Sequence, residues 1–234
     1  MYKFFLLDAD MTLFDFDRAE KYAWFETMKI YSKITPDDLM YDFYHDVNAG
    51  LWKKFERGET TKDSLVIERH RQVFRRYGVD ADPIVFNECY LDKLGDGSFP
   101  LPGALDFAKA VREIADERGG GIYITTNGVE RIQTRRLAES VFAPLADEIF
   151  VSETAGHPKP DMRYFDYVFS RIDGFDPALA VIVGDSLTSD IQGGNNAGIF
   201  TIWYNPDGNP NDTAAVPDFE AADYDEIIRF IKEH

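Results

Sequence analysis

Five short apolar runs, each stopping at a polar residue, recur along the chain at 4–7, 121–125, 148–151, 178–183 and 200–203. Runs this short, without polar alternation, are what strands look like in a parallel sheet covered on both faces. Between them Ala104, Phe107, Ala108, Val111 and Ile114 follow the helical i, i+3, i+4, i+7 rule, and Phe165, Val168, Phe169 and Ile172 repeat it. Strand and helix in alternation restrict the fold to the α/β class: a doubly wound parallel sheet with helices on both faces.

Residues 15–94 break the alternation. They carry helical periodicity (Val66, His70, Val73, Tyr77) and no comparable strand run, so they read as an α-helical insertion after the first strand. The return segment 95–103, Gly-Asp-Gly-Ser-Phe-Pro-Leu-Pro-Gly, concentrates residues that end helices. The expected division is therefore a core of 1–14 and 95–234 with a helical part at 15–94. Residues 204–222, with Pro206, Gly208, Pro210 and Pro217, are expected as a surface loop before a last helix at 224–233.

Lys+Arg 25 against Asp+Glu 42 leaves a net charge of −17, which repels a polyanion and argues against duplex nucleic acid as partner. A small phosphorylated ligand is still admissible, because screening over about 8 Å lets a few local cations decide what a pocket binds. The one cysteine, Cys89, has no internal disulfide partner, no Cys/His cluster offers zinc spacing, and no apolar run nears the roughly 18 residues that span a bilayer. A cytoplasmic protein without an anchor is expected; the oligomeric state is left open.

Ligands of parallel sheets bind outside the carboxyl ends of the strands, so the residues that follow each run matter most. They are Asp8, Asp10 and Thr12; Thr126, Asn127 and Gly128; Lys159 before Pro160; and Gly184, Asp185 and Asp190. Carboxylates, a hydroxyl, amide donors and one cation form an inventory for Mg2+-assisted phosphoryl transfer.

Asp8-Ala9-Asp10-Met11-Thr12, Thr126-Asn127-Gly128, Lys159-Pro160 and Gly184-Asp185-Ser186 through Asp190 resemble, in order, the four motifs of the haloacid dehalogenase superfamily, over nearly the whole chain. Within it, Leu51-Trp52, residues 56–61 and Trp203-Tyr204-Asn205 are similar to the bacterial pyrimidine 5′-nucleotidases that clear noncanonical nucleotides. The resemblance implies a Mg2+-dependent phosphomonoesterase acting through an aspartyl-phosphate on Asp8. Asp10 would be the general acid and base, and Asp8, the Asp10 main-chain carbonyl and Asp185 would hold the metal. Thr126 and the Asn127 amide would bind phosphoryl oxygens, and Lys159 would neutralise their charge. Asp190 would orient Lys159 or metal waters, and Thr12 would support the turn. The insertion would be a cap that reads the leaving group, with Trp52 and Arg57 as candidates and Phe55 more in keeping with core.

Elementary electrostatics agrees that counter-charge is obligatory, because a carboxylate and a phosphate dianion at about 4 Å repel by roughly 8 kcal/mol at an effective dielectric of 20. Each residue also has a plainer reading: Asp8 and Asp10 as turn stabilisers, Thr126 as a helix cap, Lys159 as a solvated loop lysine, Asp190 as a surface acid. Arg69, Arg71, Arg75 and Arg76 are expected to form one solvated, ion-paired helix face. Asp10 argues against a dehalogenase. The same motifs would serve a sugar-phosphate or phosphoglycolate phosphatase or a phosphomutase, and the other alternative is a non-enzymatic phosphoacceptor or binding protein.

Overall fold

The structure, a computed structural model, describes residues 1–234. The chain divides into two compact units, one made of Met1–Asp15 and Ser98–His234, the other of Phe16–Gly97. The chain order is β1 (Phe4–Asp8), then α1 (Phe16–Tyr31), α2 (Asp38–Glu56), α3 (Lys62–Tyr77) and α4 (Pro83–Gly95) of the inserted unit, then α5 (Ala104–Glu117) and β2 (Gly121–Thr126). It continues through α6 (Glu130–Ala138), β3 (Glu148–Val151), α7 (Ser152–Ala155), α8 (Met162–Phe169), β4 (Ala180–Gly184), α9 (Gln192–Ala197), β5 (Phe200–Tyr204), β6 (Phe219–Ala221) and α10 (Tyr224–Glu233).

The six strands form one sheet in the order β3-β2-β1-β4-β5-β6, with every pair parallel. β1 explains why an unbroken apolar run is needed. Phe5 and Leu7 enter a core with Val111 and Ile114 of α5 and Ile227 and Ile231 of α10, while Phe4 and Leu6 enter a second with Tyr164, Phe165 and Val168 of α8. Both faces of the central strand are covered, and each such side chain contributes about 1.5–3 kcal/mol on burial.

The order reverses direction around β1, which pairs with β2 on one side and β4 on the other. That is the topological switch point where the carboxyl ends of strands leave a crevice. In register, Asp8 lies opposite Thr125, Leu7 opposite Val183, and Thr126 opposite Val151. Asp8, Thr126 and Asp185 therefore emerge at one edge of the sheet.

Two sequence expectations need correction. The fourth strand starts at Ala180, because Asp176 caps a 3-10 turn over Pro177–Leu179 that uses up the first residues of the apolar run. The 204–222 segment is not loop throughout: Phe219–Ala221 adds a sixth, parallel edge strand beside β5, and Asp218 accepts hydrogen bonds from the Thr201 N–H and hydroxyl, both at 2.9 Å.

The unit Phe16–Gly97 is helical throughout, and its helix starts are written in sequence. Asp37, Thr61 and Asp82 cap α2, α3 and α4 with their side-chain oxygens, Pro83 opens α4, and Gly78 ends α3 at φ 69°. α1 packs on α4 and α2 on α3. Its interior is partly polar. Glu20, fully buried on α1, accepts from Asn48 Nδ2 (2.5 Å) and the Tyr41 hydroxyl (3.1 Å), and pairs with His45 Nδ1 at 2.7 Å. The hydrogen bond to Glu20 lifts His45 to a pKa of about 9, against the opposing effect of burial.

The sheet centre sets the stability of the core unit. Leu6→Ala, at a fully buried position between β2 and β4, is expected to cost about 2–5 kcal/mol in equilibrium urea unfolding. A loss under about 1 kcal/mol would contradict the packing described.

Candidate active site

Lys159 is only 1% exposed, so the solvated-lysine reading is excluded. Its ammonium donates to Asp8 Oδ1 at 2.7 Å, Asp190 Oδ1 at 2.6 Å and the Thr125 carbonyl at 2.9 Å. All three ammonium protons are thus matched to acceptors. Asn127 sets the reach of the loop that carries Lys159: its Oδ1 accepts from the Lys159 N–H and its Nδ2 donates to the Lys159 carbonyl, both at 2.9 Å, and Nδ2 also reaches Ser189 Oγ at 3.3 Å. The expectation for Asn127 concerned its main-chain amide; this grip by both ends of its side chain was missed.

Asp190 arrives through a π-helical turn, Leu187–Ile191, started by the side chain of Ser186. Its second oxygen accepts from the Ser186 N–H at 3.2 Å. Gly184 permits the approach, because a Cβ there would stand 2.2 Å from Asp190 Oδ2. Thr12 ties the β1 loop to the β4 loop: its hydroxyl accepts from the Asp185 N–H at 3.1 Å, and its carbonyl accepts from the Tyr224 hydroxyl at 2.9 Å. Trp203 Nε1 donates to the Asp185 carbonyl at 2.9 Å, so the main chain of Asp185 is held at both its N–H and its carbonyl.

Thr126 Oγ1 accepts from the Gly128 N–H and from Gln133 Nε2, each at 3.0 Å; it does not cap α6, whose N-cap is Val129 with no side-chain cap bond. Asp10 is held by two residues that sequence reasoning did not select. Arg136, fully buried on α6, donates from Nη1 to Asp10 Oδ1 at 2.6 Å, and Gln133 Nε2 donates to Asp10 Oδ2. A signal was available: Ile132, Gln133, Arg136 and Leu137 form the buried stripe of α6, and half of that stripe is polar.

Burial, reinforced by Asp190 and opposed by Lys159, pushes the Asp8 carboxyl up to about 8. Burial would pull Lys159 down, but Asp190 and Asp8 outweigh it and hold the ammonium well above its ordinary value. Asp8, Asp185 and Asp190 bring carboxylate oxygens within 4.8 Å of one another, and with Asp8 ionised the one ammonium of Lys159 would not balance all three. Oxygen-only donors around an excess of negative charge suit a hard divalent cation such as Mg2+. Both Asp190 oxygens are engaged by Lys159 and the Ser186 N–H, whereas Asp8 and Asp185 are the members of the cluster that could hold such an ion.

In the helical unit, the arginine face requires correction. Arg69 is 2% exposed and donates to Asn48 Oδ1 (3.2 Å) and Asn87 Oδ1 (3.0 Å), because asparagines on α2 and α4 face α3 there. Arg71 and Arg75 share Glu68 at 3.7 and 3.5 Å, as a solvated face would. Arg57 is exposed and pairs with Glu59 at 2.6 Å, and Trp52 and Phe55, both half-buried, meet edge to face.

Comparison with known proteins agrees with this geometry. Residues 2–198 match the haloacid dehalogenase-like hydrolase family. The pyrimidine 5′-nucleotidase PynA of Streptococcus pneumoniae is 38% identical over 97% of this chain and 94% of its own. The pyrimidine 5′-nucleotidase YjjG of Escherichia coli is 30% identical over 97% and 96%. A magnesium-bound crystal structure of the HAD-hydrolase YfnB from Bacillus subtilis superposes with a TM-score of 0.91 at 36% identity, covering 98% of each chain. The chain belongs to the haloacid dehalogenase-like hydrolase family. It is an enzyme, and its relatives over nearly full length put it with that family's phosphatases. No helix is long and apolar enough to cross a membrane.

The raised Asp8 predicts a pH effect on folding. A carboxyl lifted from 3.8 to about 8 in the native state favours folding when protonated, so its contribution is present below pH 4 and is lost as pH rises through about 8. In chelator, urea midpoints of the native protein should fall between pH 5 and 8 more steeply than those of Asp8→Asn, and Mg2+ should remove most of the difference at pH 8. Parallel pH profiles would contradict the assigned burial.

Proposed function

We propose that this protein is a Mg2+-dependent phosphomonoesterase working through an aspartyl-phosphate on Asp8, with pyrimidine nucleoside 5′-monophosphates as its substrates. The observation that carries the chemistry is Asp8 at the switch point of the sheet, in contact with Lys159 and within reach of Asp185 and Asp190. The substrate rests on the two pyrimidine 5′-nucleotidases related over nearly the full chain.

Asp8 and Asp185 would hold Mg2+ together with the Asp10 main-chain carbonyl; when bound, the ion offsets the repulsion between carboxylate and phosphate and polarises the phosphoryl group. Asp8 attacks phosphorus, the bond to the ester oxygen breaks, and Asp10 gives its proton to the departing alkoxide. Water then attacks the phosphorus of phospho-Asp8 and passes a proton to Asp10, which returns phosphate and both carboxyls to their starting states. The Thr126 hydroxyl and the Asn127 N–H bind the equatorial oxygens, and Lys159 stabilises their developing charge. Asp190 holds Lys159 in place, and Thr12 fixes the Asp185 peptide. These groups all address the phosphate, so we assign choice of leaving group to the inserted helical unit. A lone free thiol, Cys89, suits the reducing cytoplasm in which we locate the enzyme.

Phosphate release from nucleoside monophosphates, sugar phosphates, phosphoglycolate and p-nitrophenyl phosphate tests the reading. Turnover should require Mg2+, stop with chelator, favour UMP or dTMP, and fall by at least about 10³-fold in Asp8→Asn. Chelator-resistant turnover, or near-native release by Asp8→Asn, would overturn the chemistry. A preference for sugar phosphates would overturn the substrate alone.

A further inference from the structure

The side chain of Asp10 is gripped at both oxygens by α6, by Arg136 at Oδ1 and Gln133 at Oδ2. We propose that Gln133 and Arg136 are positioning residues for proton transfer: they fix the orientation of the Asp10 carboxyl, and Gln133 ties that orientation to the Thr126 hydroxyl. The inference rests on the phosphatase reading above, in which Asp10 is the acid and base.

Three features carry it. Arg136 is fully buried, and a buried guanidinium is costly without a partner; the carboxylate it meets, at 2.6 Å, is Asp10. Arg136 Nη1 also donates to Gln133 Oε1 at 3.2 Å, which turns the Gln133 amide so that its Nε2 faces Asp10 and Thr126 together. A single amide group thus connects the proton donor with the phosphoryl-binding hydroxyl. Finally, Gly128 leaves the space that this amide occupies, since a Cβ there would lie 2.4 Å from Gln133 Nε2.

A carboxylate on a loop has two rotatable side-chain bonds, and two donors on a helix remove that freedom. Proton transfer is sensitive to such placement, because a misplacement of about 1 Å can cost about 10²-fold in rate. The arrangement also has a merely structural counterpart, in which Arg136 only fastens α6 to the β1 loop beside Phe14, whose ring lies 4.8 Å from the guanidinium.

Leaving-group dependence separates the two. An alkyl phosphate needs a proton on its departing oxygen, whereas p-nitrophenyl phosphate does not, and kcat/KM reports steps up to transfer onto Asp8. The variants Arg136→Met, Arg136→Lys, Gln133→Met and Asp10→Asn are compared on the best nucleotide substrate and on p-nitrophenyl phosphate, after their folding has been checked by circular dichroism melting. Arg136→Met should lower kcat/KM about 10²-fold on the nucleotide and at least about tenfold less on the aryl ester, with partial recovery in Arg136→Lys. Added to Asp10→Asn, it should cost little more. Equal losses on both esters, or a full additional loss in the Asp10→Asn background, would overturn the inference. If Arg136→Met does not fold, Gln133→Met and Arg136→Lys make the same comparison. If Asp10→Asn itself fails to distinguish the two esters, the acid and base assignment falls, and this inference with it; if Asp10→Asn distinguishes them and the α6 variants do not, the inference alone falls.

Discussion

The buried ammonium of Lys159 organises this structure. It lies between Asp8 and Asp190 with the Thr125 carbonyl as third acceptor, and it joins the ends of β1, β2 and β4 through one set of charge-assisted hydrogen bonds. Its neighbours follow from that contact. Asn127 clips the lysine's own peptide, Gly184 gives way to Asp190, and the π-turn returns Asp190 towards the sheet. Removing one partner of such a buried group costs about 3–5 kcal/mol because the remaining charge is left unpaired. The cluster still holds more acidic side chains than cations, a donor set that could take a divalent ion.

Much of this was legible in the sequence because it depends on short-range regularities. Apolar runs marked five strands since both faces of the sheet are covered, and the polar residues that end those runs gather at one edge of the sheet because every strand is parallel. β6 was not legible: three residues, Phe219–Ala221, with one exposed glutamate, are too few for a period, and their pairing is created by β5. Arg69 was misread because periodicity along α3 carries no information about Asn48 and Asn87 on other helices. Gln133 and Arg136 were passed over because polar residues on a helix usually face water. Their place in the stripe with Ile132 and Leu137 is what betrays them.

The inserted unit follows a different logic from the core. Capping side chains start α2, α3 and α4 and a glycine stops α3, yet the interior of the unit holds Glu20, Asn48, Arg69 and Asn87 among stacked aromatic rings. Arg69 lies over the Tyr90 ring at 4.6 Å, and the Tyr44 and His70 rings stack within 3° of parallel. A polar interior is stable only if its groups are satisfied jointly, so substitutions here couple across helices. That separates the unit from the core, whose two apolar layers tolerate best those hydrophobic substitutions that conserve volume.

The central claim is that Asp8 becomes covalently phosphorylated during turnover. Acid quenching of the enzyme mixed with Mg2+ and excess substrate, followed by borohydride reduction and peptide mass spectrometry, tests it most directly. The account predicts that residue 8 is recovered in part as homoserine, the reduction product of an aspartyl-phosphate, and that chelator abolishes this. Unmodified Asp8 in every quenched sample, with phosphate released at the full rate and the label found on another residue, would contradict it.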